Sequence, residues 1–171
     1  MNILLISILL SIRCDVKKKI LKLVNKHRKK GDLAILNNDR NLNKAAQIQA
    51  EYVMKKGAIT HENKNVQYKN PVARVIASNY SKNFAVTENI MYFPEDNYKL
   101  IIDEYRHKKE MAMESLFNEK YKDIGIGLST DATGRTYYTL VYCVNLDATV
   151  KEPKKALSEV DEEGPIGPPP E

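Results

Sequence analysis

Apolar and polar positions divide the chain into helical and strand-like stretches in alternation. In VKKKILKLVNKHRKKG, Val16, Ile20, Leu23 and Val24 recur at three- and four-residue intervals, which predicts an amphipathic helix closed by Gly31. In NLNKAAQIQAEYVMKKG, Leu42, Ala45, Ala46, Gln49, Ala50, Val53 and Met54 follow a helical period. A second helix is expected there, with small residues where another layer must come close and Gly57 as its stop. DLAILNNDR, between the two, reads as a connection anchored by Leu33 and Leu36. PEDNYKLIIDEYRHKKEMAMESLF predicts a third helix, opened by Pro94 and by acids that suit a helix amino terminus, with a break near Lys109. Three stretches read as strands: FAVTENIMY, YKDIGIGLS and TYYTLVYCVNL, the last two joined by DATGR with Gly134 as the turn residue. Both of those last strands are apolar at nearly every position, the mark of a sheet covered on both faces. The expected fold class is α+β, an α-β-α sandwich with a small, mainly antiparallel three-strand sheet between helical layers.

The two ends differ from this body. Ile3 to Ile12 is an uncharged, mostly apolar run of ten residues, too short to span a membrane and of the size of a secretory signal core. Residues 1–14 are therefore read as a signal peptide, although a short uncleaved anchor or a buried first strand would also use such a run. Its removal leaves no transmembrane span and leaves Cys143 as the single cysteine, so no intramolecular disulfide can form and the core must stabilise the domain. Residues 151–171, KEPKKALSEVDEEGPIGPPPE, have few large apolar side chains and end in Gly and Pro, which predicts a disordered acidic tail. Charge divides at the same place. The body, residues 15–150, holds 23 Lys plus Arg against 16 acids, and the tail three Lys against six acids. The lysines are spread along the body without interleaved aromatics, so solvated helix faces are expected in preference to a nucleic-acid surface.

One position does not fit a simple packing pattern. Glu88 sits in the middle of FAVTENIMY, and a carboxylate in a covered strand costs several kcal/mol unless something meets it. Glu104 and His107, three apart, share one face of the third helix, a spacing that carboxylate and imidazole metal ligands use. Taken alone, that charged stretch reads as a solvated face and His61, in THENKN, as a surface-loop histidine. His27 belongs to a polar helix face, and Cys143 reads as a packed small residue.

The residues resemble, in order from about Ile20 to Asn145, the CAP superfamily, also called the SCP domain, of cysteine-rich secretory, antigen 5 and pathogenesis-related proteins. Asn25, Arg28, Leu36, Asp39, Leu42, Ala46, Ala50, Gly57 and His61 match the opening pattern. Thr87, Glu88, Asn89 and Ile90 resemble its Gly-Glu-Asn-Ile signature. Ile101, Glu104, His107 and Lys108 fall where bacterial-type members have Trp, Glu, His and Arg. Ile124-Gly125-Ile126-Gly127 and the run Tyr137 to Tyr142 resemble the end strands. The chain departs from the pattern in having no Trp, Thr87 in place of Gly, no His-Tyr-Thr-Gln motif and no paired cysteines. Counted back from Ile124, the second histidine place falls on Met111 or Ala112. About five extra residues therefore lie in between, and the site is kept if they follow His107.

The resemblance implies a cleft that gathers His61, Glu88, Glu104 and His107, a set that would suit a divalent metal such as Zn²⁺, or Mg²⁺ or Ca²⁺ on the carboxylates. It implies a secreted, non-enzymatic protein that binds a lipid or sterol, a surface component or a protein outside the cell. The alternative is a metal-dependent hydrolase using the same four residues, with a carboxylate as general base. No Ser, Cys or Thr nucleophile stands beside a histidine in any motif, so covalent catalysis has no support.

Overall fold

A computed structural model describes residues 3–81, 83–95, 97–107 and 115–146, with side chains from Asp15 onward except that of His107. Helix α1 covers Ile3–Lys30, β1 Asn37–Asn38, α2 Arg40–Lys56, α3 Pro71–Ala77, β2 Phe84–Phe93, α4 Leu100–His107, β3 Asp123–Thr130 and β4 Thr136–Asn145, with a 3-10 turn at Val66–Tyr68. The sheet order is β1-β3-β4-β2. β4 is flanked by β3 and β2, both antiparallel to it, while β1 runs parallel to β3. The three expected strands are present, and β1 adds a fourth. Its two residues are polar and exposed, so it carries no hydrophobic pattern.

Other expectations shift at their edges. The first helix begins at Ile3, so the segment read as a signal peptide is helical and continuous with the domain's first helix. No described helix is long and apolar enough to cross a membrane. The third expected helix starts at Leu100, later than Pro94. Lys109, Met111 and Ala112 lie outside the described residues, as does the tail from 151 to 171. Helix α3 and the 3-10 turn fall in a region for which the sequence pattern predicts no element.

Side chains alternate along a strand, so β4 feeds two cores. Tyr138, Leu140 and Tyr142 pack on one face with Val16, Ile20 and Val24 of α1 and with Ile101, Ile102 and Tyr105 of α4. Val141 and Cys143 pack on the other with Leu42, Ala45 and Ala46 of α2 and Val75 of α3. Cys143 is thus a core residue, as its apolar context indicates.

Helix α2 lies directly on β3. A Cβ on Gly125 would come within 2.2 Å of the Leu42 backbone, and one on Gly127 within 2.3 Å of Ala46. This proximity lets two α2 amides complete the strand's hydrogen bonding where β1 no longer covers it. The Ile126 N–H donates to Asn43 Oδ1 at 2.7 Å, and Gln47 bonds both Leu128 N and Leu128 O. An open strand edge is thereby closed by side chains. Asp39 starts α2 by accepting from the N–H groups of Asn41 and Leu42, and Gly57 ends it in the left-handed region at φ 67°.

Asn25 and Arg28 fix the connection that follows α1. The Asn25 amide both donates to Leu36 O and accepts from Leu36 N. Arg28, fully buried, donates to the carbonyls of Ala34 at 2.8 Å, Leu116 at 2.7 Å and Asn118 at 3.1 Å. Nearby, Asn89 Nδ2 donates to Tyr105 Oη at 3.2 Å, and Tyr105 Oη and Tyr142 Oη are 2.7 Å apart. Burial pushes the Tyr105 hydroxyl up to about 12, and burial with the Tyr105 neighbour raises Tyr142 well above the ordinary tyrosine value.

Two outcomes follow from this packing. Gly125→Ala should lower the unfolding free energy in urea by about 3 kcal/mol or more, because α2 must move off the sheet. Gly31→Ala, whose Cβ would meet Phe117 at an ordinary 3.5 Å, should change it by no more than about 0.5 kcal/mol. The tyrosines set the alkaline limit. Their pKa values are raised in the folded state, so above the ordinary value the unfolded chain ionises first and stability falls with pH. Stability should hold up to about pH 10 and drop above it, and Tyr105→Phe should soften that drop in unfolding curves collected across the range.

Candidate functional site

Glu88 points to the α2 and α3 side of the sheet, since its cross-strand partner is Val141 of that core. Its side chain has no solvent exposure, and both carboxylate oxygens are engaged. Oε1 lies 2.9 Å from His61 Nδ1. Oε2 accepts from Arg74 Nη2 at 2.6 Å, and the Arg74 side chain is likewise fully buried. Two buried opposite charges in contact therefore meet the requirement that the sequence raised at this position.

Arg74 is placed by α3. Asn70 caps the helix by accepting from Ala73 N, and Pro71 occupies its first turn, where a missing N–H costs nothing. The guanidinium also ties down the segment that carries His61. Nη1 donates to Tyr68 O at 2.9 Å, and both terminal nitrogens reach His61 O at 3.2 Å. From the other side, Gln49 of α2 donates to Thr60 O. The His61 ring is therefore held at a defined place, with its side chain 56% exposed. An imidazole that donates Nδ1–H to a carboxylate directs Nε2 away from it, so His61 presents one nitrogen outward.

The four residues named from the resemblance are not brought together alike. His61 and Glu88 are in contact. Glu104 lies on α4, which packs across the sheet, on the face opposite to the one Glu88 occupies. His107 ends α4, and its side chain lies outside the described residues. No group of three or more His, Cys, Asp or Glu that could hold a metal is found among the described residues. A divalent cation at Glu88 would have to enter a dry position and compete with a guanidinium bonded to the same carboxylate. The Glu88 carboxylate, buried and bonded to Arg74, is therefore not free for a metal ion in this arrangement. Sequence reasoning missed Arg74, the residue that neutralises Glu88. The signal available was Asn70-Pro71, a helix start, followed by an arginine within the apolar run VARVIA.

The model of the CAP family, described as the cysteine-rich secretory protein family, matches residues 21–144. The chain belongs to the CAP family. Solved CAP structures share its fold at low identity. An outer surface protein from Borrelia burgdorferi superposes with a TM-score of 0.66 at 19% identity, covering 77% of this chain and 93% of its own. An extracellular protein containing an SCP domain from Bacillus anthracis gives 0.63 at 17% identity, covering 73% of this chain and 39% of its own. A cysteine-rich secretory protein from Staphylococcus aureus gives 0.57 at 15%, covering 76% and 38%. The CAP chain thus spans about two fifths of the length of the last two. No curated protein matches it by sequence. Within the CAP signature, Thr87 stands in place of Gly, and its hydroxyl lies 2.6 Å from Tyr121 Oη, on the face away from Glu88.

Proposed function

We propose that this CAP domain works outside the cell as a non-catalytic binding module that presents His61 to a surface component or protein. The observation that carries this reading is the double engagement of Glu88. A carboxylate bonded to both a buried guanidinium and an imidazole is occupied as an anchor and is not free to act as a general base or metal ligand. What remains accessible is the outward nitrogen of His61, a single hydrogen-bonding point on a rigid mount. The extracellular setting is supported by the apolar run at Ile3 to Ile12 and by the surface or secreted description of similar structures. The metal-dependent hydrolase reading would need a Glu88 carboxylate free to act, whereas both of its oxygens are bonded to His61 and Arg74.

The test has two arms. Protein recovered from the native cells should lie outside the cytosol and begin near Asp15, and a cytosolic product that keeps Met1 would contradict the reading. Saturating Zn²⁺, Mg²⁺ or Ca²⁺ should leave the thermal midpoint unchanged. A site filled at a hundredfold excess over its Kd would add about 2.7 kcal/mol of stability. A rise of that size that disappears in both His61→Ala and Glu88→Gln would restore the metal site and remove the anchor role of Glu88.

A further inference from the structure

We propose that α1 carries a docking surface for anionic phospholipid membranes, formed by Lys22, Lys26, Lys29 and Lys30 around Ile35. These residues, with Asn25, line one depression of about 500 Å³. It is separate from the Glu88 site, and the proposal does not depend on how that site works.

Three observations support it. The lysines, spaced four, three and one apart, fall along one side of the helix, and no acidic residue occurs between Asp15 and Asp32 to offset them. Lys19 is paired with Asp15, whereas none of the four has an acidic partner among the described residues. A solvated helix face usually mixes both signs, and this one does not. The neighbouring His27 is held below the ordinary histidine value by burial first, then by Arg106, Lys30 and Lys26, with Asp103 opposing.

The third observation concerns Ile35, which is 48% exposed beside these cations. It is not a loose side chain. The backbone before it is held by Arg28 Nε bonding Ala34 O, and the backbone after it by the two bonds between Asn25 and Leu36. A buried arginine and a half-buried asparagine thus hold an aliphatic residue out toward water, next to four lysines. Nucleic acid or a sulfated polysaccharide would match the charge but offers nothing to Ile35. A bilayer interface matches both, with headgroup phosphates for the ammonium groups and the acyl boundary for the aliphatic side chain.

The experiment is sedimentation of the full chain with vesicles of phosphatidylcholine alone or mixed in equal parts with phosphatidylglycerol. The run Ile3 to Ile12 is common to every variant and insensitive to headgroup charge, so the readout is the ratio of the two affinities. The parent should prefer the anionic vesicles about tenfold or more, with the preference shrinking as salt rises. Replacing Lys22, Lys26, Lys29 and Lys30 together by Gln should abolish the preference, and each single Lys→Gln should reduce it in part. The same number of changes at Lys55, Lys56, Lys64 and Lys69 should leave most of it. Ile35→Ser should weaken anionic-vesicle binding several-fold while leaving the salt dependence unchanged. The proposal is overturned if the parent shows no preference, or if the control set loses as much as the α1 set. It is also overturned if soluble heparin binds as tightly as the vesicles and Ile35→Ser has no effect.

Discussion

A charge placed inside a covered sheet must be neutralised where it stands, and the α2 and α3 side of this domain is organised around that need. Glu88 cannot reach water, so α3 delivers Arg74, and Arg74 in turn cannot be left with one partner. Its terminal nitrogens also take the carbonyls of Tyr68 and His61, which closes the segment between α2 and α3 onto the sheet, while the buried Nε has no hydrogen-bond partner among the described residues. The position of His61 is thus a consequence of satisfying Arg74. A substitution at either charge would release the segment as well as the pair.

The opposite side of the sheet uses the same device without an anion. Arg28 is buried among main-chain carbonyls, and it fixes the end of α1, the connection to β1 and the segment before β3 at once. In both places a guanidinium ties irregular backbone to regular structure, which its planar set of donors suits better than an ammonium group would. Between these two points α2 rests on Gly125 and Gly127, and its amides finish the edge of β3. The domain gains by this what paired cysteines supply elsewhere, namely long-range attachment of loops.

Most of the architecture was legible in the pattern of side chains. The two glycine-stopped helices and the three long strands lie close to where periodicity places them, because each has an apolar face that must be covered. β1 was not legible, since Asn37 and Asn38 pair through backbone alone. Helix α3 is short and half exposed, with Val72 and Ile76 facing outward, so its apolar residues form no clean stripe. The contact between His61 and Glu88 was anticipated through the family pattern. The place of Arg74 was not, because nothing local in the sequence tells a buried arginine from a solvated one, and the partner lies on another element. The convergence of Glu104 with Glu88 was expected from the same pattern; α4, which carries Glu104, packs on the other face of the sheet, and the His107 side chain lies outside the described residues.

If Arg74 is what holds Glu88 in its buried position, the two charges must depend on each other energetically. A double-mutant cycle in denaturant tests it most directly, using Arg74→Met, Glu88→Leu and the two combined. Each single change should cost about 3–5 kcal/mol, because it strands the opposite charge in a dry site, and the double variant should lose less than the worse single one. If the two losses simply add, the charges do not support each other and Glu88 must be stabilised by something else.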